Sequence, residues 1–261
     1  MSHASRGLAA LGVSAGLLTL AAAPAAAQPS PPIVHEGDVG AACGLAILGI
    51  STVPLVLIGP VPLGRTIVVT TKAGGTGLLP TLVVDSSGIN LYGPDVTHSA
   101  PGSAVSIFSS RVTSPLTIAQ VITLTFNNTT GLVQTVCTTA SVFSGLQTTA
   151  GWLDQSATNG SASTVSALSV TTGATTQPNE LLIGAFSTGN AGTFTLGAGL
   201  TALTPACNVA NSCLRPFYRV LSATGAQSAS ASGTTPTAWS AAVGTFRGED
   251  FPVTLETFSI E

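Results

Sequence analysis

Side chains that could carry chemistry are few in this chain, and most are isolated. The only Gly-x-Ser-x-Gly stretch, Gly12 to Gly16, has the spacing of a serine-hydrolase nucleophile turn. It sits inside an apolar N-terminal segment, where that spacing carries no catalytic meaning. Any other serine relay needs a histidine, and beyond residue 27 there are two, His35 in a Pro-rich stretch and His98 three residues after Asp95. Asp95 and His98 have the one spacing that suits a general-base pair; the competing reading is a solvated loop histidine. Glycoside hydrolysis needs two carboxylates flanking one bond, whereas the acids here are dispersed. Asp85, in Asp-Ser-Ser-Gly, and Glu180, after Pro178 and Asn179, read as turn residues. The spacing of a calcium loop is missing. Gly74, Gly75 and Gly77 run into Leu78, Leu79 and Pro80 rather than a lysine-bearing helix, so they read as a hairpin loop and not a phosphate cradle. The sequence predicts no catalytic residues, no metal and no cofactor.

Aromatic rings are the remaining candidates, because sugar rings stack on exposed Trp and Tyr faces. Trp239 lies in the apolar run AWSAAVGTF and reads as core. Trp152 follows Gly151 in a polar connection beside Asp154 and Gln155, where a ring and hydrogen-bonding partners could meet a glycan. The plainer alternative is that it caps one end of the fold. Tyr92, near Asp95, has the same two readings. Trp152, Asp154 and Tyr92 are therefore the candidate ligand-binding residues.

The elements that must position these residues follow from the rest of the chain. Arg6 precedes an apolar stretch from Gly7 to Ala23, and Ala25 and Ala27 place small side chains before Gln28. This is the pattern of a signal peptide spanning residues 1–27. Ser14 and Gly16 interrupt the stretch, and the Ala-rich site with Pro29 beyond it argues against a membrane anchor. The residues before Cys43 do not make a lipoprotein pattern. An even count of four cysteines, Cys43, Cys137, Cys207 and Cys213, in an exported chain reads as disulfides. Three pairings are possible; the short Cys207 to Cys213 spacing favours a local staple, which leaves Cys43 for Cys137.

Charged residues make up 7% of the chain, net charge is −3 and there is no run of Lys or Arg, which excludes nucleic acid and anionic membrane as partners. With 44% apolar residues in short β-branched runs, the chain folds despite its low charge. Runs such as Arg65 to Lys72 and Val105 to Val112 recur between Gly, Pro and Asn turn signals, and none has a helical period. Ile122, Leu124 and Phe126 alternate with Thr123 and Thr125, as on a half-buried strand. The continuous run Leu181, Leu182, Ile183, Ala185, Phe186 suits a central strand covered on both faces. The expected fold is all-β, a two-sheet β-sandwich over residues 43–248. A Pro-rich leader without period at 28–42 precedes it, and a tail at 249–261 reads as an edge strand or a strand given to a partner.

The segments VVDSSGINLY, VSIFSSRVTSPLTIAQVITLTF and ASVFSGL resemble a jelly-roll-like β-sandwich module of bacterial exported and phage-associated surface proteins. NELLIGAF, FYRVLSATG and AWSAAVGTFRG are similar to the second half of that module. The likeness covers most of residues 44–248 and implies a fold but no catalytic residues. Taken together, these features lead us to expect a secreted or cell-surface protein without enzymatic activity, used for adhesion, surface assembly or recognition of a surface protein. The alternatives are a carbohydrate-binding module and a virion or filament subunit.

Overall fold

Two kinds of strand recur along the chain. In β7 (Val121–Asn128) Ile122, Leu124 and Phe126 are buried while Thr123 and Thr125 are half-buried, the period-two pattern of a sheet covered on one side. In β3 (Thr66–Ala73) and β11 (Asn179–Thr188) nearly every residue is buried, which requires a layer on each side. The computed structural model describes residues 30–75, 77–147, 151–189, 194–208, 212–233 and 238–249. The signal peptide expected at 1–27 and nearly all of the C-terminal tail lie outside them.

The other strands of the N-terminal half are β1 (Val34–Ala46), β2 (Gly49–Val56), β4 (Pro80–Asp85), β5 (Gly93–Ala100), β6 (Ser103–Arg111) and β8 (Gln134–Ser144). The C-terminal half adds β9 (Leu153–Ser161), β10 (Ala167–Ala174), β12 (Phe194–Leu196), β13 (Thr201–Ala202), β14 (Ala206–Asn208), β15 (Ser212–Ser222), β16 (Ala226–Gly233) and β17 (Trp239–Arg247). They form four antiparallel sheets. An N-terminal inner sheet runs β1-β8-β3-β6-β5 and an N-terminal outer sheet β2-β7-β4. A C-terminal inner sheet runs β13-β15-β11-β17-β9 and a C-terminal outer sheet β10-β16-β12.

Matching β1 with β9, β2 with β10, β3 with β11, β4 with β12, β6 with β15, β7 with β16 and β8 with β17 turns one half's strand order into the other's; short β13 answers β5. The chain therefore carries one strand order twice. Three apolar cores separate the four layers. Leu55, Ile67, Leu124 and Phe126 lie in the core between the N-terminal sheets. Ile107, Phe143, Leu181 and Ile183 lie between the two inner sheets. Val170, Leu182, Phe186 and Phe217 fill the core between the C-terminal sheets. Where the inner sheets meet, β3 stacks on β11, β6 on β17, β8 on β15, β5 on β9 and β1 on β14. Under the strand matching, the first of these pairs maps onto itself and the second onto the third, as a pseudo-two-fold requires. The pair of β5 and β9 is answered by β1 on β14, the strand that follows β13 in the chain.

The all-β class stands, but the layers number four where the sequence suggested two. Alternation reveals how many faces of a strand are covered and not which sheet covers them. Residues 34–42, expected in an unstructured leader, belong to β1, whose backbone pairs with β8 although only Val39 and Gly40 are buried there. Asp95, His98 and Asp154, placed in loops by the sequence, stand on β5 and β9. These are edge strands of the inner sheets, held by backbone pairing without an apolar period. Cys43 faces Cys137 across β1 and β8, and Cys207 faces Cys213 across β14 and β15; both disulfides are formed, as expected. Two such bonds are typical of extracellular proteins.

Candidate functional site

Two bulges aim acidic side chains at the same edge of the stacked inner sheets. Asp95 falls where β5 slips register against β6, and Asp154 where β9 slips against β17. Trp152, half-buried against the middle core, donates its indole N–H to Asp95 Oδ1 at 3.4 Å, and its carbonyl accepts the Arg247 amide at 2.8 Å. Burial pushes Asp95 up to about 6, opposed by the Trp152 hydrogen bond and by nearby Ser109, whose hydroxyl does not reach hydrogen-bond geometry. His98, one of the two candidate histidines, shares no hydrogen bond with Asp95 among the described residues. Its Nε2 is buried without a partner, and burial lowers its pKa. The general-base pair is therefore not assembled here, and the ring is not a solvated loop histidine either.

Asp154 is clasped from three sides. Its Oδ1 accepts Arg247 Nη2 and the Thr176 hydroxyl, both at 2.7 Å, and its Oδ2 accepts the Thr176 amide at 2.7 Å. Burial alone would raise its pKa, but these donors hold it down at about 2. Its side chain is 1% exposed, so the carboxylate faces protein and not solvent. Glu180, read from sequence as a turn residue, opens β11 and is fully buried. Burial raises it to about 7, the Asp154 charge adds to the rise, and the nearby Thr245 hydroxyl opposes it without reaching hydrogen-bond geometry. A split pair of carboxyl groups of this kind suits acid–base chemistry when a substrate can reach it. Here both groups are enclosed, and Asp154 works as a clasp tying β9 to β17 and to the connection that precedes β11.

Tyr92 lies elsewhere, packed against the N-terminal core. Its hydroxyl donates to Asp85 Oδ2 at 3.1 Å, and burial, then the Asp85 charge, raises its pKa. Asp85 also accepts Asn90 Nδ2 at 2.7 Å and the Ser87 amide at 2.9 Å, which closes the turn read from Asp-Ser-Ser-Gly. The three candidate ligand residues thus divide: Trp152 and Asp154 share an edge, and Tyr92 serves a separate turn.

The feature that sequence reasoning did not single out is a surface. The outward face of the N-terminal outer sheet presents Ile50 and Val56 from β2, Thr123 and Thr125 from β7, and Leu82 and Val84 from β4. Ile58, Leu63 and Ile118 border one end, and Ile47, Leu48 and Leu132 stand exposed in the segments next to the other. Asp85 is the one charged residue in these three strands, and it is buried. The topologically equivalent face of the C-terminal outer sheet is different. It presents Ser169 opposite Ser230 and Thr171 opposite Ser228, the latter pair hydrogen-bonded at 2.8 Å. At the aliphatic rim Ala119 has φ 71°, the only positive φ of a non-glycine residue among those described, and it follows Ile118, which is 62% exposed. The signal was present in the sequence as the charge-free stretches 44–64 and 112–153.

No family model, no curated protein and no solved structure matches this chain.

Proposed function

We propose that this chain is an exported surface protein without catalytic function, whose working part is the aliphatic outer face of its N-terminal sandwich. One observation carries the reading: of two outer sheets with the same strand order, one turns serine and threonine hydroxyls to solvent and the other turns Ile50, Val56, Leu82 and Val84 there among its threonines. A monomer's largest apolar patch is ordinarily a few hundred Å², and a larger one marks an interaction site. Export is supported by the N-terminal pattern of residues 1–27 and by the two disulfides. We further read each half as a jelly roll, supported by the order 1-8-3-6 in one sheet and 2-7-4 in the other.

The test is retention of the labelled full chain on the producer's envelope and on a panel of polysaccharides. Val84→Lys, which places a charge on the aliphatic face, is expected to abolish envelope retention. Trp152→Ala is expected to leave it intact. A second reading, glycan binding beside Trp152, is favoured only by that ring's half-exposed position; it gains if retention on one polysaccharide is lost in Trp152→Ala and kept in Val84→Lys. A Val84→Lys variant that changes neither envelope retention nor self-association, or a hydrolase activity that disappears in His98→Ala, would overturn the proposal.

A further inference from the structure

We infer that the aliphatic face docks on the same face of a second copy of this chain, giving an isologous dimer with the two N-terminal outer sheets stacked face to face. The inference rests on the proposed role of that face and names its partner. The first support is composition. The face combines Thr with Val, Ile and Leu and has no charge, a composition close to that of the surfaces packed together inside the molecule, which differ in carrying the buried Lys72. Between the inner sheets, Val68 and Ile107 meet Leu181 and Ile183, while Ser103 hydrogen-bonds Ser187 at 2.7 Å and Ser240 at 3.0 Å. A surface of this kind packs well against another flat sheet about 10 Å away.

The second support is area. The aliphatic side chains on the face and its rims expose on the order of 1,000 Å², against roughly 800 Å² per partner in a standard stable interface. The third is what the face lacks. A surface seated on a bilayer carries Trp or Tyr at the headgroup level and basic side chains for anionic lipids; the sheet face has neither, and Arg65, near Leu63 at its rim, is paired with Glu36. A differently charged protein partner would call for complementary charge, and there is none to complement. A two-fold pairing asks only that the face complement itself, and a face of Thr123 and Thr125 flanked by Leu82 and Val84 on one side and by Ile50, Thr52, Pro54 and Val56 on the other carries no charge to oppose it. Pro54 in β2 and Pro80 in β4 interrupt the free edges of the sheet, which disfavours edge-to-edge growth and leaves the face as the route of association.

Sedimentation equilibrium across micromolar concentrations tests this on the chain purified from an exporting host, with its N-terminus read by mass spectrometry. The wild type is expected to be a dimer. Val84→Lys and, independently, Ile50→Lys are expected to raise its dissociation constant by about 100-fold or more, since apposed like charges cost several kcal/mol. Both side chains already reach solvent, at 38% and 78% exposure, and a wild-type circular dichroism spectrum with one cooperative melting transition establishes that each variant folds, the transition itself shifting down with loss of the dimer. Ser230→Lys on the hydroxyl face is expected to leave the dimer intact. A monomeric wild type, or a dimer that both variants leave unchanged, overturns the inference. If the wild type is monomeric while Val84→Lys still loses envelope retention, the self-pairing is wrong and the docking face stands.

Discussion

Glu180 shows how one side chain couples this fold to pH. Its carboxyl is fully buried and raised to about 7 from an ordinary value near 4.5. The folded state therefore binds the proton more tightly than the unfolded chain does. The associated stability is complete below about pH 4.5 and is lost as pH rises through 7, by at most about 3 kcal/mol. His98 has the opposite sign, because its lowered pKa makes the fold less stable as pH falls through it. The Glu180 contribution is therefore measured as a difference between wild type and Glu180→Gln. Chemical denaturation is expected to show the variant gaining relative to wild type between pH 5 and pH 8, and a constant difference would refute the assignment. None of this was legible beforehand. Glu180 follows Pro178 and Asn179, which is turn chemistry in sequence, and only the register of β11 against β17 encloses it.

Among the elements, those with strong periodicity were legible and those held by neighbours were not. Ile122, Leu124 and Phe126 revealed β7, and Leu181 to Phe186 revealed a strand covered twice. The polar strand β9, with Asp154, Asn159 and Gly160, shows no apolar period because it is an edge held by backbone pairing to β17. Cysteine spacing carried the pairing, and the two bridges differ in what they should contribute. Cys43 and Cys137 are 94 residues apart and Cys207 and Cys213 only 6. Chain-entropy reasoning gives about 4–5 kcal/mol for the long loop and about 2 kcal/mol for the short one. Replacing the first pair by serines is expected to lower the melting temperature about twice as far as replacing the second. Equal effects would show that unfolded-state entropy is not the main contribution. Packing between β11 and its neighbours makes a separate prediction. A Cβ on Gly184 would lie 2.5 Å from Val243 Cγ1, 2.6 Å from Phe217 Cζ and 2.8 Å from the Ala242 carbonyl. Because backbone is among those contacts, Gly184→Ala is expected to cost about 1–3 kcal/mol, and a melting temperature equal to wild type would count against so tight a contact.

For the whole molecule, the repeated strand order raises the question of whether the halves stand alone. Each half has a core of its own between its inner and outer sheet, but separation would also bare the second face of each inner sheet. That face holds Val68, Ile107 and Phe143 on one side and Leu181, Ile183 and Phe246 on the other, all nearly inaccessible in the folded chain. Each such side chain is worth about 1.5–3 kcal/mol when buried. Together they match or exceed the roughly 5–15 kcal/mol of a typical domain's net stability, so neither half should persist once the other unfolds. Buried polar ties reinforce the coupling: Ser103 reaches Ser187 and Ser240 across the gap, and Lys72 donates to the Thr188 carbonyl at 3.2 Å. Native-state hydrogen exchange is expected to give the central amides of β3 and β11 the same opening free energy. Ile183→Asp, which places a charge between the inner sheets, should lower both together by about 3 kcal/mol or more. If β11 lost protection while β3 kept it, the N-terminal half would be an independent folding unit. The middle core would then be a contact between two domains and not the centre of one.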